Sequence, residues 1–394
     1  MFPTDVVIVA GARTAMARYT GVFSDVSAID LAAHAAKGAI ARSGVDPSEL
    51  DHVVFGNVLQ TSSDAIYGAR HVGLKAGLKV ETPAVTVNRL CGSGIEAIAQ
   101  AAQRLLLGEA TMVLAGGTEN MTQAPFVIRG ARSGLKLGGG ALEDFLFVSL
   151  TDSYCGLPMA ITAEKLAAQK GVTRAEADAY ALRSQQAADA AAKAGVFQEE
   201  IVPVEVKQGR KSIVVTEDDH RRPETTLETL AKLPPSFQKD GMVTAGNASG
   251  IVDGAAAVVV TREKIAKDRG LKSLGRIVSW ATVGVDPSIM GIGPVPATRK
   301  ALQLSGLQLD QIDRVEVNEA FAPQYLAVEK ELGLCRDKTN VNGGAIALGH
   351  PLAASGTRLV ITVLNELRRK GLRYGLATAC IGGGQGIAMI VEAL

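Results

Sequence analysis

The sequence predicts an α/β protein made of two similar halves, and three observations carry that expectation. Short apolar runs of strand length alternate with helix-length amphipathic stretches. Several of those runs are almost free of polar residues, as in strands covered on both faces. Two segments far apart in the chain also repeat one order of elements, which reads as a duplicated βα unit.

Strands are expected at 6–10, 53–58, 85–88, 112–115, 256–261, 277–283, 315–318, 339–342, 376–380 and 387–391. In the early unit, strand 85–88 leads through a glycine-rich turn into a helix. Ile95, Ile98, Ala99, Ala102, Leu105 and Leu106 form one stripe of that helix, and Gly108 is its C-terminal stop. Strand 112–115 and Gly116-Gly117 follow. The late unit runs from strand 339–342 through a glycine-rich loop, a helix at 357–369 and strand 376–380 to Gly382-Gly383-Gly384. Both first strands end in Val-Asn, at Val87-Asn88 and Val341-Asn342. Between about 119 and 248 strand runs thin out and an Ala-rich helical stretch appears near 173–194, which reads as an insertion folded over one half. The expected division is 1–118 plus 250–271, an inserted loop domain at 119–249, and 272–394.

At 394 residues the chain exceeds one hydrophobic core. It has 47% apolar residues, 21% charged residues and a net charge of +1, with no basic or acidic block. Nucleic acid and anionic membranes are therefore not expected partners, although a few local cations suffice to hold a phosphate-bearing small molecule. The start, Met1-Phe2-Pro3-Thr4-Asp5, lacks the features of a secretion signal, and no apolar run reaches the ~18 residues of a membrane span. The last residues, Glu392-Ala393-Leu394, match no retention or peroxisomal address. The four cysteines, Cys91, Cys155, Cys335 and Cys380, show neither CxxC pairing nor metal-ligand spacing, so no metal is expected. These features fit a reducing compartment, the cytoplasm, or the mitochondrion if the source is eukaryotic.

Cys91 stands between a strand and a helix, in Cys91-Gly92-Ser93-Gly94. The helix amides there should favour the thiolate, although taken alone the residue reads equally well as a buried inert thiol. His350 closes a glycine-dense loop and is fixed by Pro351; His34, His52, His71 and His220 lie in ordinary surface or packed contexts. Cys380 ends an apolar strand before three glycines whose amides could form an anion nest. Gly382-Gly383-Gly384-Gln385-Gly386 is a weak dinucleotide fingerprint, because a strand follows it. Asn318, in Asn318-Glu319-Ala320-Phe321, sits at a strand end, where it could enter a site or merely cap a helix.

Together these blocks, in this order and across essentially the whole chain, resemble the four signature blocks of the thiolase family. Thr244-Ala245-Gly246-Asn247-Ala248-Ser249-Gly250 and Asp253-Gly254 fit as well. One departure is Ala353, where the family's loop after the histidine has glycine; its methyl should shift the loop slightly. The resemblance implies a layered α-β-α-β-α sandwich of two βα halves with an inserted loop domain. It also implies an acyltransferase acting on 3-oxoacyl-CoA, acetyl-CoA and CoA, with no permanently bound cofactor, in a homodimer or homotetramer serving fatty-acid β-oxidation.

On this resemblance Cys91 is the nucleophile, His350 its base and Cys380 the second acid/base. Asn318, through a water, completes one oxyanion hole with His350; the amides of Cys91 and Gly382 form the other. Arg222, Thr225, Ser249, Met159, Phe237, Met290 and Phe321 bind the coenzyme, and Met159 and Met290 either wall the acyl pocket or simply fill core. Leu157-Pro158-Met159-Ala160 lacks the His-Met of acetoacetyl-specific relatives, which implies a broad-range 3-ketoacyl-CoA thiolase that also handles acetoacetyl-CoA. The rivals are an acetoacetyl-CoA-specific acetyltransferase, a decarboxylating β-ketoacyl synthase, against which Cys380 argues, a non-catalytic acyl-CoA carrier, and a nucleotide-binding oxidoreductase.

Overall fold

The computed structural model describes residues 4–394. Its first half runs β1 (Val6–Arg13), α1 (Ala28–Ser43), β2 (His52–Gly56), α2 (Gly68–Ala76), β3 (Ala84–Val87), α3 (Ser93–Leu107) and β4 (Met112–Glu119). An inserted segment follows and carries α4 (Met159–Gln169) and α5 (Arg174–Lys193), after which β5 (Val252–Arg262) closes the half. The second half repeats the order as β6 (Gly275–Gly284), α6 (Pro294–Ser305), β7 (Arg314–Val317), α7 (Ala322–Leu332), α8 (Leu352–Lys370), β8 (Tyr374–Ile381) and β9 (Gln385–Ala393).

The strands lie in the order β7-β8-β9-β6-β1-β5-β4-β2-β3, with the short strand Ala17–Arg18 added beside β5. The halves correspond pair by pair: β2 is parallel to β4, as β7 is to β8, and β4 is antiparallel to β5, as β8 is to β9. Among the described residues the two half-sheets pair through Val7 with Arg276 and Ile8 with Gly275. The predicted strand 339–342 is not a strand. Only Thr339 bridges to Val315, in parallel, and Asn340 then turns away at φ 46°. The bridge still occupies the place that β3 holds beside β2, so the duplication persists where the strand itself is lost.

Burial follows the apolar runs. α3 and α8 pack against inward residues of both half-sheets, including Val113 and Val258 from one and Ala377 and Met389 from the other. α1 and α2 cover the outer face of the first half, and α6 and α7 that of the second, giving five alternating layers. Backbones approach closely between α3 and α8: a Cβ on Gly94 would lie 2.4 Å from Thr357 N, and one on Gly356 2.5 Å from Ile95 N. Local signals set the helix ends. Gly108, at φ 74°, stops α3, and Thr173 with Glu176 forms a capping box that starts α5.

The inserted segment does not lie over one half alone. Tyr180 and Ala181 of α5 join the outer core of the second half, whereas Ala188 and Ala191 join that of the first. It is also tied down by charge. Arg13, fully buried at the end of β1, donates Nε to Glu200 at 2.8 Å and Nη1 and Nη2 to Asp218 at 2.7 and 2.9 Å. Two carboxylates facing one guanidinium make this burial tolerable.

Candidate active site

Cys91 sits in a single 3-10 turn, Leu90–Gly92, between β3 and α3. The turn is held in an unfavourable backbone state, with Leu90 at φ 45°. Its neighbours fix it there: Asn88 Oδ1 accepts from Leu90 N at 3.0 Å, and Ser93 Oγ accepts from Arg89 N at 2.8 Å and donates to Leu90 O at 2.7 Å. Gly92 allows a close approach, since a Cβ there would lie 2.5 Å from Ile381 Cδ1, at the end of β8. The turn is thereby pressed against the strand that carries Cys380.

Backbone amides do act to favour a thiolate at Cys91, as expected, but burial outweighs them. Burial pushes the Cys91 thiol up to about 11, outweighing the backbone N–H groups of Gly382 and Cys91, which act in the opposite direction, and nearby Glu119 adds to the rise. Both amides expected to form an oxyanion hole do reach the Cys91 sulfur.

His350 is buried at 6% exposure and its backbone N–H donates to Gly250 O at 2.9 Å. Gly349 before it has φ 92°, where a side chain would also strike Val252. Burial, followed by the charge of Arg358, lowers the imidazole pKa to about 3, so the ring is neutral. Its Nε2 lies 3.3 Å from Asn318 Nδ2 and its Nδ1 2.5 Å from Ser355 Oγ. Asn318 is fully buried at the end of β7, which excludes the solvent-facing cap, and its Oδ1 has no hydrogen-bond partner among the described residues.

Cys380 is fully buried beside Met290 and Ala320, with Met159 and Phe321 packed against them. Burial and then the neighbouring Cys91 push its thiol well above the ordinary range. The three glycines after it form the β8–β9 hairpin turn rather than a nucleotide loop, with Ile381 opposite Gln385.

Cys91 and His350 line one apolar cavity of about 230 Å³, together with Ser249 and the expected Met159, Phe237, Met290 and Phe321. Pro158, Phe147 and Leu150 complete the wall. Arg222 and Thr225 are not in it. They line a second cavity, also about 230 Å³, with Gln185, His220 and Gly246. Segment 245–250 contributes to both cavities. His220 is packed: its Nδ1 lies 3.2 Å from Ala347 O.

Ala353 falls inside the first turn of α8, where alanine is a better helix former than glycine. Three polar residues around the site were not singled out from the sequence. Ser355 contacts His350. Fully buried Glu319 accepts from Tyr180 and Ser184 of α5 at 2.7 Å each, from Asn340 at 3.0 Å and from Ile346 N at 3.1 Å, so it ties the inserted segment to the His350 loop.

The third is Glu119, at the end of β4, which accepts from Asn57 and Leu59 on one oxygen and from Val58 and Ala353 on the other. Burial raises its carboxyl to about 8, yet every neighbour on those oxygens is an N–H donor, the arrangement that suits a carboxylate. Among the described residues no group of three or more His, Cys, Asp or Glu could hold a metal, and no helix is long and apolar enough to cross a membrane.

Two family descriptions match the chain, "Thiolase, N-terminal domain" over residues 6–264 and "Thiolase, C-terminal domain" over 271–393. Human mitochondrial 3-ketoacyl-CoA thiolase is 55% identical over 388 residues, covering 98% of each chain. The acetyl-CoA acetyltransferase of Pseudomonas aeruginosa is 49% identical over 387 residues, again covering 98% of each. The crystal structure of human mitochondrial 3-ketoacyl-CoA thiolase in complex with CoA superimposes with a TM-score of 0.96 at 55% identity, over 99% of this chain and 98% of that one.

Proposed function

The chain belongs to the thiolase family of acyltransferases, and from that premise we propose that it is a 3-ketoacyl-CoA thiolase working through an acyl-cysteine on Cys91. With CoA it cleaves 3-oxoacyl-CoA to acetyl-CoA and a shortened acyl-CoA, and in reverse it condenses acetyl-CoA. One observation supports these roles above the rest. Around a single apolar cavity stand a thiol met by two backbone N–H groups, a neutral imidazole and, just beneath, a second thiol.

In the condensing direction, Cys91 Sγ attacks the thioester carbon of acetyl-CoA and its proton passes to His350 Nε2. The N–H groups of Cys91 and Gly382 stabilise the resulting oxyanion, each such donor being worth about 10²–10³ in rate. The carbon–sulfur bond breaks, and the departing CoA sulfur takes the thiol proton of Cys380. The Cys380 thiolate then removes a proton from the methyl of a second acetyl-CoA. His350 Nε2–H and Asn318 hold the enolate oxygen while its carbon attacks the acetyl group on Cys91. Collapse of that adduct expels Cys91, which recovers its proton from His350. Each protein proton is thereby restored, and thiolysis is the same cycle reversed. Both thiols and the imidazole start neutral, consistent with raised thiol and lowered imidazole pKa values.

CoA is substrate here, with no permanent cofactor. The second cavity suits its nucleotide, with Arg222 as a planar cation for phosphate or adenine and Thr225 beside it, and Ser249 lies toward the pantetheine. The acetoacetyl-specific reading stays open, because the apolar cavity is small and the acetyltransferase relative is 49% identical. Pro158 in the wall favours the broader range.

A homodimer or homotetramer fits the apolar residues Ile66, Tyr67 and Val80, exposed beside edge strand β3. The cytoplasm, or the mitochondrion in a eukaryote, is the proposed location. The proposed division remains 1–118 with 250–271, 119–249, and 272–394. The test is mass spectrometry after incubation with acetyl-CoA alone. An acetyl group is expected on the peptide containing Cys91, and label on Cys380 alone would overturn the assignment.

A further inference from the structure

The two ring nitrogens of His350 face different neighbours, and neither contact is open to solvent. Asn318 Nδ2 lies 3.3 Å from Nε2, and Ser355 Oγ lies 2.5 Å from Nδ1; Asn318 and Ser355 are fully or almost fully buried. In the resting site, an amide N–H at 3.3 Å is best accommodated by a bare ring nitrogen. The ring is neutral, so its single proton then lies on Nδ1 and is donated to the Ser355 hydroxyl.

We propose that Ser355 is a positioning residue for acyl transfer: by accepting Nδ1–H, it keeps His350 Nε2 bare and oriented to take the proton of Cys91. The proposal rests on the reading of His350 as that base.

The fold explains why a serine can do this. α8 begins directly after Pro351, so its first turn brings Ser355 back to the imidazole. That turn is itself immobilised, because Ala353 N donates to Glu119 at 3.3 Å and Gly356 sits against α3. The acceptor is also uncharged. A carboxylate behind a histidine stabilises the imidazolium, as in the serine-protease triad. A hydroxyl fixes the tautomer with much less effect on basicity, which leaves proton transfer to occur as the carbon–sulfur bond forms.

Three variants of the full-length enzyme test this, read by the rate of Cys91 acetylation from acetyl-CoA and by nitrogen NMR of ring-labelled histidine. In the unaltered protein the His350 spectrum should show a protonated Nδ1 and a bare Nε2. Ser355→Ala should slow acetylation by about 10–100-fold, the scale of losing a group that orients a functional histidine, with KM for acetyl-CoA within about twofold. Its ring spectrum should shift toward Nε2–H or a mixture. Ser355→Thr keeps the hydroxyl and should recover most of the rate.

A protonated Nε2 in the unaltered enzyme overturns the proposal and needs no variant to fold. So does unchanged acetylation in Ser355→Ala, or a folded Ser355→Thr as slow as the alanine variant. His350→Ala separates the two ideas. If it acetylates Cys91 at the normal rate, the base reading itself fails. If it is slow while Ser355→Ala is normal, only the role of Ser355 fails.

Discussion

In the first half of the molecule β4 and β5 are joined through residues 120–251, while in the second half the equivalent strands, β8 and β9, are joined by three glycines. The same connection in a duplicated unit has thus become two different devices. The short turn brings the Gly382 N–H to the Cys91 sulfur, with Cys380 two residues before it on β8. The long one carries α4 and α5, and supplies Pro158, Met159 and Phe237 to one cavity and Arg222 and Thr225 to the other. On the proposed roles, the reacting groups belong to the duplicated core, and substrate choice belongs to what was inserted into it.

Loss of a reacting group beside the short turn should give the largest effect. Cys380→Ser should slow condensation and thiolysis by about 10²–10⁴-fold, the usual contribution of a positioned acid/base, while acetyl exchange between Cys91 and CoA falls by no more than about tenfold. The comparison breaks if both processes fall equally, since the carbon–carbon step would then depend on Cys380 no more than acyl transfer does.

The sequence made these devices legible to different degrees. Unbroken apolar runs such as β5 were readable because burial on both faces leaves no place for polar side chains. Segment 339–342 misled for a different reason: its Val-Asn ending repeats that of β3 and imitates a strand, but Asn340 takes a left-handed turn after a single bridge. Cys91, His350 and Cys380 stood out as scarce, reactive side chains set among glycines. Ser355, Glu119 and Glu319 did not, because serine and glutamate are common and their meaning comes from partners far along the chain, as Glu119 shows by meeting Asn57 and Ala353. The raised Cys91 pKa was equally hidden, since burial is a property of the folded surroundings.

The next effect concerns how the inserted segment is held. Arg13→Met should remove the guanidinium and leave Glu200 and Asp218 facing each other in a dry interior. Breaking a buried pair in this way costs about 3–5 kcal/mol, to be read as a lowered denaturation midpoint at constant m-value. Folded protein at low temperature should keep most of its acetyl exchange, because Arg13 touches neither cavity. A stability loss under about 1 kcal/mol would show that the segment is held by its apolar contacts alone.

The smallest effect probes substrate choice directly, at Pro158 in the cavity wall. Each methylene of the acyl chain that enters the cavity contributes up to about 0.8 kcal/mol, so passing from a four- to a six-carbon 3-oxoacyl-CoA should raise kcat/KM by as much as roughly 15-fold while room remains. Met159 and Met290 line the same cavity, and their flexible thioethers can repack around chains of different length. Thiolysis rates from four to ten carbons measure this: activity that collapses at six carbons makes the protein an acetoacetyl-CoA thiolase. If activity holds, Pro158→His should place a polar ring where longer chains lie, disfavouring six carbons relative to four by about tenfold with little change in Cys91 acetylation. A profile unchanged by that substitution would move substrate choice away from the inserted segment and into the duplicated core.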